Sequence, residues 1–160
     1  MKFKQSLIEN QSVSLQAHAE DWREAITIGT DMLIKSGAIT ADYHDAIIRS
    51  IETLGSYIII APALAMPHAR PEDGVNYTAF ALVTLSRPVQ FPGESFPVDV
   101  LITLAGGTSG EHMEGLMEMS RMLEDDKTPC GINLNKLRQC THPTQIYQLI
   151  DDELKPANLK

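Results

Sequence analysis

The chain has 160 residues, 43 % of them hydrophobic and 21 % charged. That is room for one domain with a core of its own and too little for two comfortable ones, in a composition ordinary for a soluble globular protein. The formal net charge of −8 argues against nucleic acid as the main partner, because neutralising phosphates needs a basic face.

The acidic surface serves solubility or meets a partner with a basic docking face. No apolar run reaches the roughly 20 residues a membrane span needs. The opening MKFKQSLIENQ carries two lysines without a continuous apolar run behind them, unlike a secretory signal, so a cytoplasmic location is expected. Cys130 and Cys140 lack C-x-x-C spacing and are expected as free thiols.

Phe3 to Glu9 predicts a short helix. Ser12 to Ala19 alternates in period two through Val13, Leu15 and Ala17, the pattern of a strand. The period then changes. Trp22, Ala25, Ile26, Gly29, Met32 and Leu33 share one helical stripe, with Asp21 as N-cap, Glu24 in the capping-box position and Gly37 as the stop. A second helix follows, capped by Thr40 or Asp42, with Tyr43, Ile47, Ile51 and Leu54 inward and Gly55 ending it. His44 is expected at an exposed position beside that stripe. The β-branched run after it, broken by Pro62, predicts strands at Tyr57–Ile60 and Leu64–Met66. Asn76 to Phe91 predicts a long strand ending near Pro88, a turn falls at Pro92–Gly93, and Phe96 to Gly107 predicts another strand. The last third is helical. Thr108 and Glu111 form a capping box ahead of a stripe of Leu116, Met119 and Leu123, and NLNKLRQC and PTQIYQLIDDEL are two more short helical patterns. Helices on both sides of a strand block define an α/β sandwich, with one domain over residues 1–154 and a frayed tail over 155–160.

Two histidines stand out. In PALAMPHAR, Pro67 fixes its own φ and pushes Met66 towards an extended conformation, so His68 leaves the end of a strand with little backbone freedom. An incidental core histidine and a reactive one both fit that segment. His112 lies four, seven and eleven residues before Leu116, Met119 and Leu123, on the inward stripe and in the first turn of its helix. There, unpaired N–H groups and the helix dipole favour an anion. The preceding LAGGTSG is a strand end and glycine-rich loop, a usual ligand position in α/β folds. A partly buried histidine bonded to that loop is the bland alternative. If the two strands are neighbours, both rings meet at one sheet edge. Neutral imidazole can attack phosphorus at cytosolic pH, and the protein then supplies alignment and charge. Arg70, two residues past His68, reaches the same oxygens or is a solvated loop charge. Met66, Met113 and Met117 are an adaptable apolar rim or core filling. Zinc is the competing chemistry, with Glu72, Asp73 or Glu111 beside the histidines, yet no H-E-x-x-H or H-x-x-E-H spacing occurs. There is neither a phosphate-binding G-x-x-x-x-G-K-[ST] loop nor a G-x-S-x-G elbow.

IAPALAMPHA resembles the active-site segment of the mannitol/fructose-type IIA components of the bacterial sugar phosphotransferase system. That family shows a small residue, two variable positions, then aliphatic–Ala–aliphatic–Pro–His–small, and Ala61, Leu64, Ala65, Met66, Pro67, His68 and Ala69 fit it. The resemblance runs on through FALVTLSRPVQF and VDVLITLAG to HMEGLMEMSRMLED, from Leu7 to Glu124 and more loosely to the end. LAMPHARPEDGV and FALVTLSRPVQF are most similar to the ascorbate-type branch. The resemblance implies a mixed parallel/antiparallel sheet flanked by helices. It also implies that His68 accepts a phosphoryl group from the phosphocarrier HPr and passes it to a cysteine of an EIIB protein coupled to a membrane EIIC transporter. His112 is then the supporting histidine and Arg70, Thr108 and Ser109 the phosphate-binding residues, with no metal or cofactor. The chain departs from the family in three places. Glu52-Thr53 stands where many members have Arg-Glu, unless Arg49 or Arg70 substitutes. GGTSGEH lacks the aspartate common before the second histidine, and DDKTPCGINLNKL is longer than usual. The alternative from another class is an EIIA-like regulatory binding module whose phosphorylation state controls a partner protein.

Overall fold

The computed structural model describes residues 2–106 and 112–154. Helix α1 (Phe3–Asn10) leads into β1 (Val13–Ala17), then α2 (Trp22–Ser36) and α3 (Ala41–Leu54). A hairpin of β2 (Ile59–Ala61) and β3 (Leu64–Ala65) follows, then a 3₁₀ turn at Pro71–Asp73, β4 (Ala79–Val89) and β5 (Val98–Ala105). Among the described residues three helices follow: α4 (Met113–Leu123), α5 (Asn135–Arg138) and α6 (Pro143–Glu153).

The caps explain the boundaries of α2. The Asp21 side chain accepts from the Glu24 N–H at 3.0 Å. Glu24 reaches back to the Glu20 N–H at 3.1 Å, so the reciprocal bond lands one residue earlier than in a standard capping box. Gly37 ends the helix at φ +90°, its N–H bonding back to the carbonyls of Ile34 and Leu33. In α3 the Thr40 side chain makes no cap bond; its N–H instead meets the Gly74 carbonyl at 2.9 Å, which ties the 3₁₀ turn to the α2–α3 connection.

The five strands form one sheet in the order β1-β4-β5-β3-β2. β1 runs parallel to β4 and β3 parallel to β5, while β4/β5 and β2/β3 are antiparallel. Pro88 lies within β4 at an exposed position, where the β4/β5 register shifts between Thr84 and Val89. A residue without an N–H is tolerated there because the ladder is already interrupted. The two faces of β4 build two cores. Ala79, Ala81 and Val83 join Ile26, Leu33, Tyr43 and Ile47 of α2 and α3. Phe80 and Leu82 join Phe3, Leu7, Met119, Met122 and Ile146 of α1, α4 and α6. Central strands buried on both faces read as continuous apolar runs, as AFALVTL and VLITLA do.

Two expectations along α3 are corrected. Leu54 is 72 % exposed, because the helix outruns the sheet in its last turn before Gly55 and leaves that side chain on a cleft wall. His44 is not an exposed side chain: it is half-buried, its Nδ1 2.8 Å from the Thr30 hydroxyl of α2. The strands β1, β4 and β5 are each shorter than their apolar patterns. Cys130 is exposed and Cys140 buried, and both are free.

Helix α2 crosses the sheet at Gly29. A Cβ there would lie 2.7 Å from the Thr103 hydroxyl and 3.6 Å from Val83, so the glycine sets the helix–sheet distance. Gly29→Ala is expected to lower unfolding free energy by about 1–3 kcal/mol through overpacking. Chemical denaturation measures it, and unchanged stability would contradict the close approach.

Candidate active site

The geometry begins with strand direction. β3 and β5 are parallel neighbours, with Leu64 opposite Val100 and Ala65 opposite Leu101, and the pairing carries on past β3 through a 2.9 Å bond from the Leu104 N–H to the Pro67 carbonyl. The segments leaving both strands therefore depart from the same edge. His68 follows one of them and His112 the other.

His68 is held from several sides. Its Nδ1 lies 2.6 Å from the Met66 carbonyl. A carbonyl only accepts, so Nδ1 carries the proton and Nε2 the lone pair. Nε2 makes no hydrogen bond among the described residues. The ring of Tyr57 packs edge-on to the imidazole, centroids 5.4 Å apart and planes at 80°, and its hydroxyl donates to the His68 carbonyl. Burial raises the Tyr57 phenol pKa from its ordinary value.

Tyr43, fully buried on α3, joins the two strand ends. Its hydroxyl donates to the Leu104 carbonyl at 2.7 Å and accepts from the Ala69 N–H at 3.0 Å. Burial pushes its pKa from 10.0 up to about 12. No motif signals either tyrosine. The available hint is that a buried phenol needs a hydrogen-bond partner, and that Tyr43 lies on a stripe otherwise made of aliphatic residues.

His68, Ala69 and Arg70 line a cleft of about 640 Å³ together with Arg49, Ser50, Thr53 and Leu54 of α3, Tyr57 and Asp73. Arg70 is 3.6 Å from the Asp73 carboxylate. Arg49 has no ion pair among the described residues. Glu52, at the first of the two departures on this helix, turns away to bond Arg23 at 2.6 Å, while Thr53 stays on the cleft wall.

His112 immediately precedes α4 and its carbonyl accepts from Leu116 N–H at 3.0 Å. It is half-buried, and its Nδ1 is buried with no hydrogen-bond partner among the described residues. The ring lies against Gly106, where a Cβ would come within 3.1 Å of Nδ1, so a side chain there would press on the imidazole. Thr108, Ser109 and the Thr108–Glu111 capping box lie outside the described residues. Met113 and Met117 are 54 % and 65 % exposed one turn apart on α4, whereas Met66 is buried in the core and so does not belong to an exposed rim. Among the described residues no group of three or more His, Cys, Asp or Glu is placed to hold a metal ion.

An α/β sheet that delivers one imidazole with a free Nε2 into an arginine-lined cleft, and a second imidazole at the same edge, is a scaffold suited to moving an anionic group. Residues 6–153 match the family described as "Phosphoenolpyruvate-dependent sugar phosphotransferase system, EIIA 2", and the chain belongs to that family. It is thus a phosphoryl-carrier component of sugar transport. It is 43 % identical over 153 residues to the ascorbate-specific PTS system EIIA component of Escherichia coli K12, covering 94 % of this chain and 96 % of that one. A crystal structure of a protein assigned as a PTS IIA from Streptococcus mutans superposes with a TM-score of 0.87 at 36 % identity, covering 100 % and 99 % of the two chains. The enzyme IIA of the Escherichia coli mannitol system, solved in complex with phosphorylated enzyme IIB, shares the fold at a TM-score of 0.71 and 20 % identity, covering 89 % and 95 %.

Tyr43→Phe removes one donor and one acceptor from buried backbone groups and is expected to cost about 1–3 kcal/mol. The effect carries a pH signature. The unfolded phenol ionises near 10.0 and the folded one near about 12, so the folded state keeps a proton that the unfolded state has lost. This contribution is fully present below pH 10 and is lost as pH rises through about 12; its size is about 2–3 kcal/mol. The stability gap between the parent and Tyr43→Phe should therefore narrow above pH 10 in urea titrations. A gap constant with pH would contradict the assignment.

Proposed function

We propose that Nε2 of His68 is the atom that carries the phosphoryl group. The observation behind this reading is the 2.6 Å contact of Nδ1 with the Met66 carbonyl, which leaves the ring's only lone pair on Nε2. In the transfer, that lone pair forms the new N–P bond as the donor's N–P bond breaks in line, and the donor nitrogen recovers its electron pair. The His68 ring gains positive charge, which lies against the Met66 carbonyl, and no proton has to move from Nδ1. Charge on the transferring oxygens is met by Arg49, the cleft guanidinium with no ion pair among the described residues, and by Arg70. His112 supports the group from the other strand end. Thr108 and Ser109 belong to the same loop in sequence and are proposed as further phosphate contacts.

The donor is proposed to be HPr, and the acceptor a cysteine of an EIIB protein serving a membrane EIIC. The mannitol relative's complex with phosphorylated enzyme IIB supports the IIB assignment. The likeness to ascorbate-specific EIIA components supports ascorbate as the sugar taken up. Among the described residues no helix is long and apolar enough to cross a membrane, and the chain is proposed to act in the cytoplasm, where HPr is met. The net charge of −8 favours a basic-faced donor, and steering of this kind weakens with salt.

Incubation with phosphoenolpyruvate, enzyme I and HPr, followed by peptide mapping, tests the proposal. An alkali-stable, acid-labile phosphate should map to His68 and vanish in His68→Ala. Arg49→Gln should slow single-turnover transfer by roughly 10²-fold with the fold intact. Labelling of His68→Ala as strong as the parent's would overturn the assignment.

A further inference from the structure

Resting on the reading of His68 as the phosphoryl carrier, we infer that Tyr57 is a positioning residue for that histidine, setting the orientation and the tautomer of its imidazole through its hydroxyl and its ring. Tyr57 meets His68 at two points. The phenol donates to the His68 carbonyl, which fixes the peptide from which the imidazole grows. The aromatic ring stands at 80° to the imidazole at 5.4 Å, which restricts rotation about the bond joining the ring to its Cβ. The Nδ1 bond to Met66 spans only two residues along the chain. Such a bond is short-ranged and survives only if the peptide plane and the ring stay in register.

The neighbouring peptide groups are already occupied. The Pro67 carbonyl takes the Leu104 N–H and the Ala69 N–H takes the Tyr43 hydroxyl. The His68 carbonyl therefore has Tyr57 as the partner that closes the row. Tyr57 is placed by the turn after α3. Gly55 leaves the helix at φ +84° and ψ −161°, and the Tyr57 N–H bonds to the Gly55 carbonyl at 2.9 Å. The residue remains 38 % exposed, so it stands beside the imidazole at the cleft surface and leaves Nε2 open. Its phenol is a donor at neutral pH, as an ordinary tyrosine is, and burial moves its ionisation still further from that range. In-line attack needs the nitrogen within a narrow cone of the donor phosphorus, and a ring free to swing loses much of that alignment.

The test uses the full chain with phosphoenolpyruvate, enzyme I and HPr. Tyr57→Phe keeps the ring and deletes the hydroxyl; Tyr57→Leu deletes both. Single-turnover phosphorylation of His68 should slow by about tenfold in Tyr57→Phe and further in Tyr57→Leu, with far-UV circular dichroism unchanged in Tyr57→Phe. In the same variant, imidazole ¹⁵N signals of His68 should move from a pure Nδ1–H pattern towards the mixed-tautomer pattern of a free side chain, a change that a loss of packing elsewhere does not produce. A wild-type rate, or a slowed rate with unmoved ¹⁵N signals, would overturn the inference while leaving His68 as the carrier. Undiminished labelling of His68→Ala in the parallel control would instead overturn the carrier reading itself, and this inference with it.

Discussion

A carbonyl oxygen 2.6 Å from Nδ1 of His68 decides which ring nitrogen keeps the free lone pair, and much of the surrounding structure keeps that oxygen still. Met66 is anchored by its side chain in the core and by its N–H to the Ile58 carbonyl at 2.8 Å. Pro67, next in the chain, permits only a narrow range of φ, and its carbonyl is bonded across to Leu104. A carbonyl held on both sides in this way is a fixed dipole, and a fixed dipole costs no reorganisation when the ring facing it becomes cationic. The hydrogen bond adds only about 0.5–1.5 kcal/mol of net stability. Its larger consequence is chemical, because it removes one of the two tautomers.

The fold serves the same end. Parallel pairing of β3 with β5 sends both histidine-bearing segments out over one edge, and Tyr43 reaches from α3 to bond both the Leu104 carbonyl and the Ala69 N–H. The helix that supplies this phenol also supplies Arg49, three residues before Glu52, on the wall of the His68 cleft. Glu52 faces Arg23, and so its negative charge is held by an outer partner. The chain is acidic as a whole yet brings two guanidinium groups to the cleft, so the long-range field suits a basic protein partner while the local field suits a phosphate. The exposed Met113 and Met117 lie just beyond His112 and offer flexible apolar surface of a kind that adapts to more than one partner.

Much of this was legible in the residues. Period-two and period-3.6 patterns locate the strands and helices, Asp21 and Gly37 mark the ends of α2, and the Pro-His pair marks position 68 without indicating a partner for its ring. Strand order was a different matter. That β3 and β5 are parallel neighbours follows from tertiary packing of two nearly all-apolar segments, and such segments carry no register signal of their own. The Met66 carbonyl was equally hidden, since every residue has one. Tyr57 and Tyr43 act through contacts 11 and 26 or more residues away in sequence, beyond the reach of local periodicity. Leu54 and His44 departed from expectation for related reasons. A helical stripe says which side faces inward, but the extent of the sheet beneath and the position of the neighbouring helix decide where inward ends.

The measurement that reaches the centre of this account is the identification of the phosphorylated ring atom by ¹⁵N–³¹P coupling in chain labelled at its histidines and charged through HPr. Phosphorus on Nε2 of His68, with Nδ1 still protonated and its proton protected from exchange, is the predicted result. Phosphorus on Nδ1 would contradict this, because the Met66 carbonyl would then not hold that proton and Nε2 would not be the reacting atom.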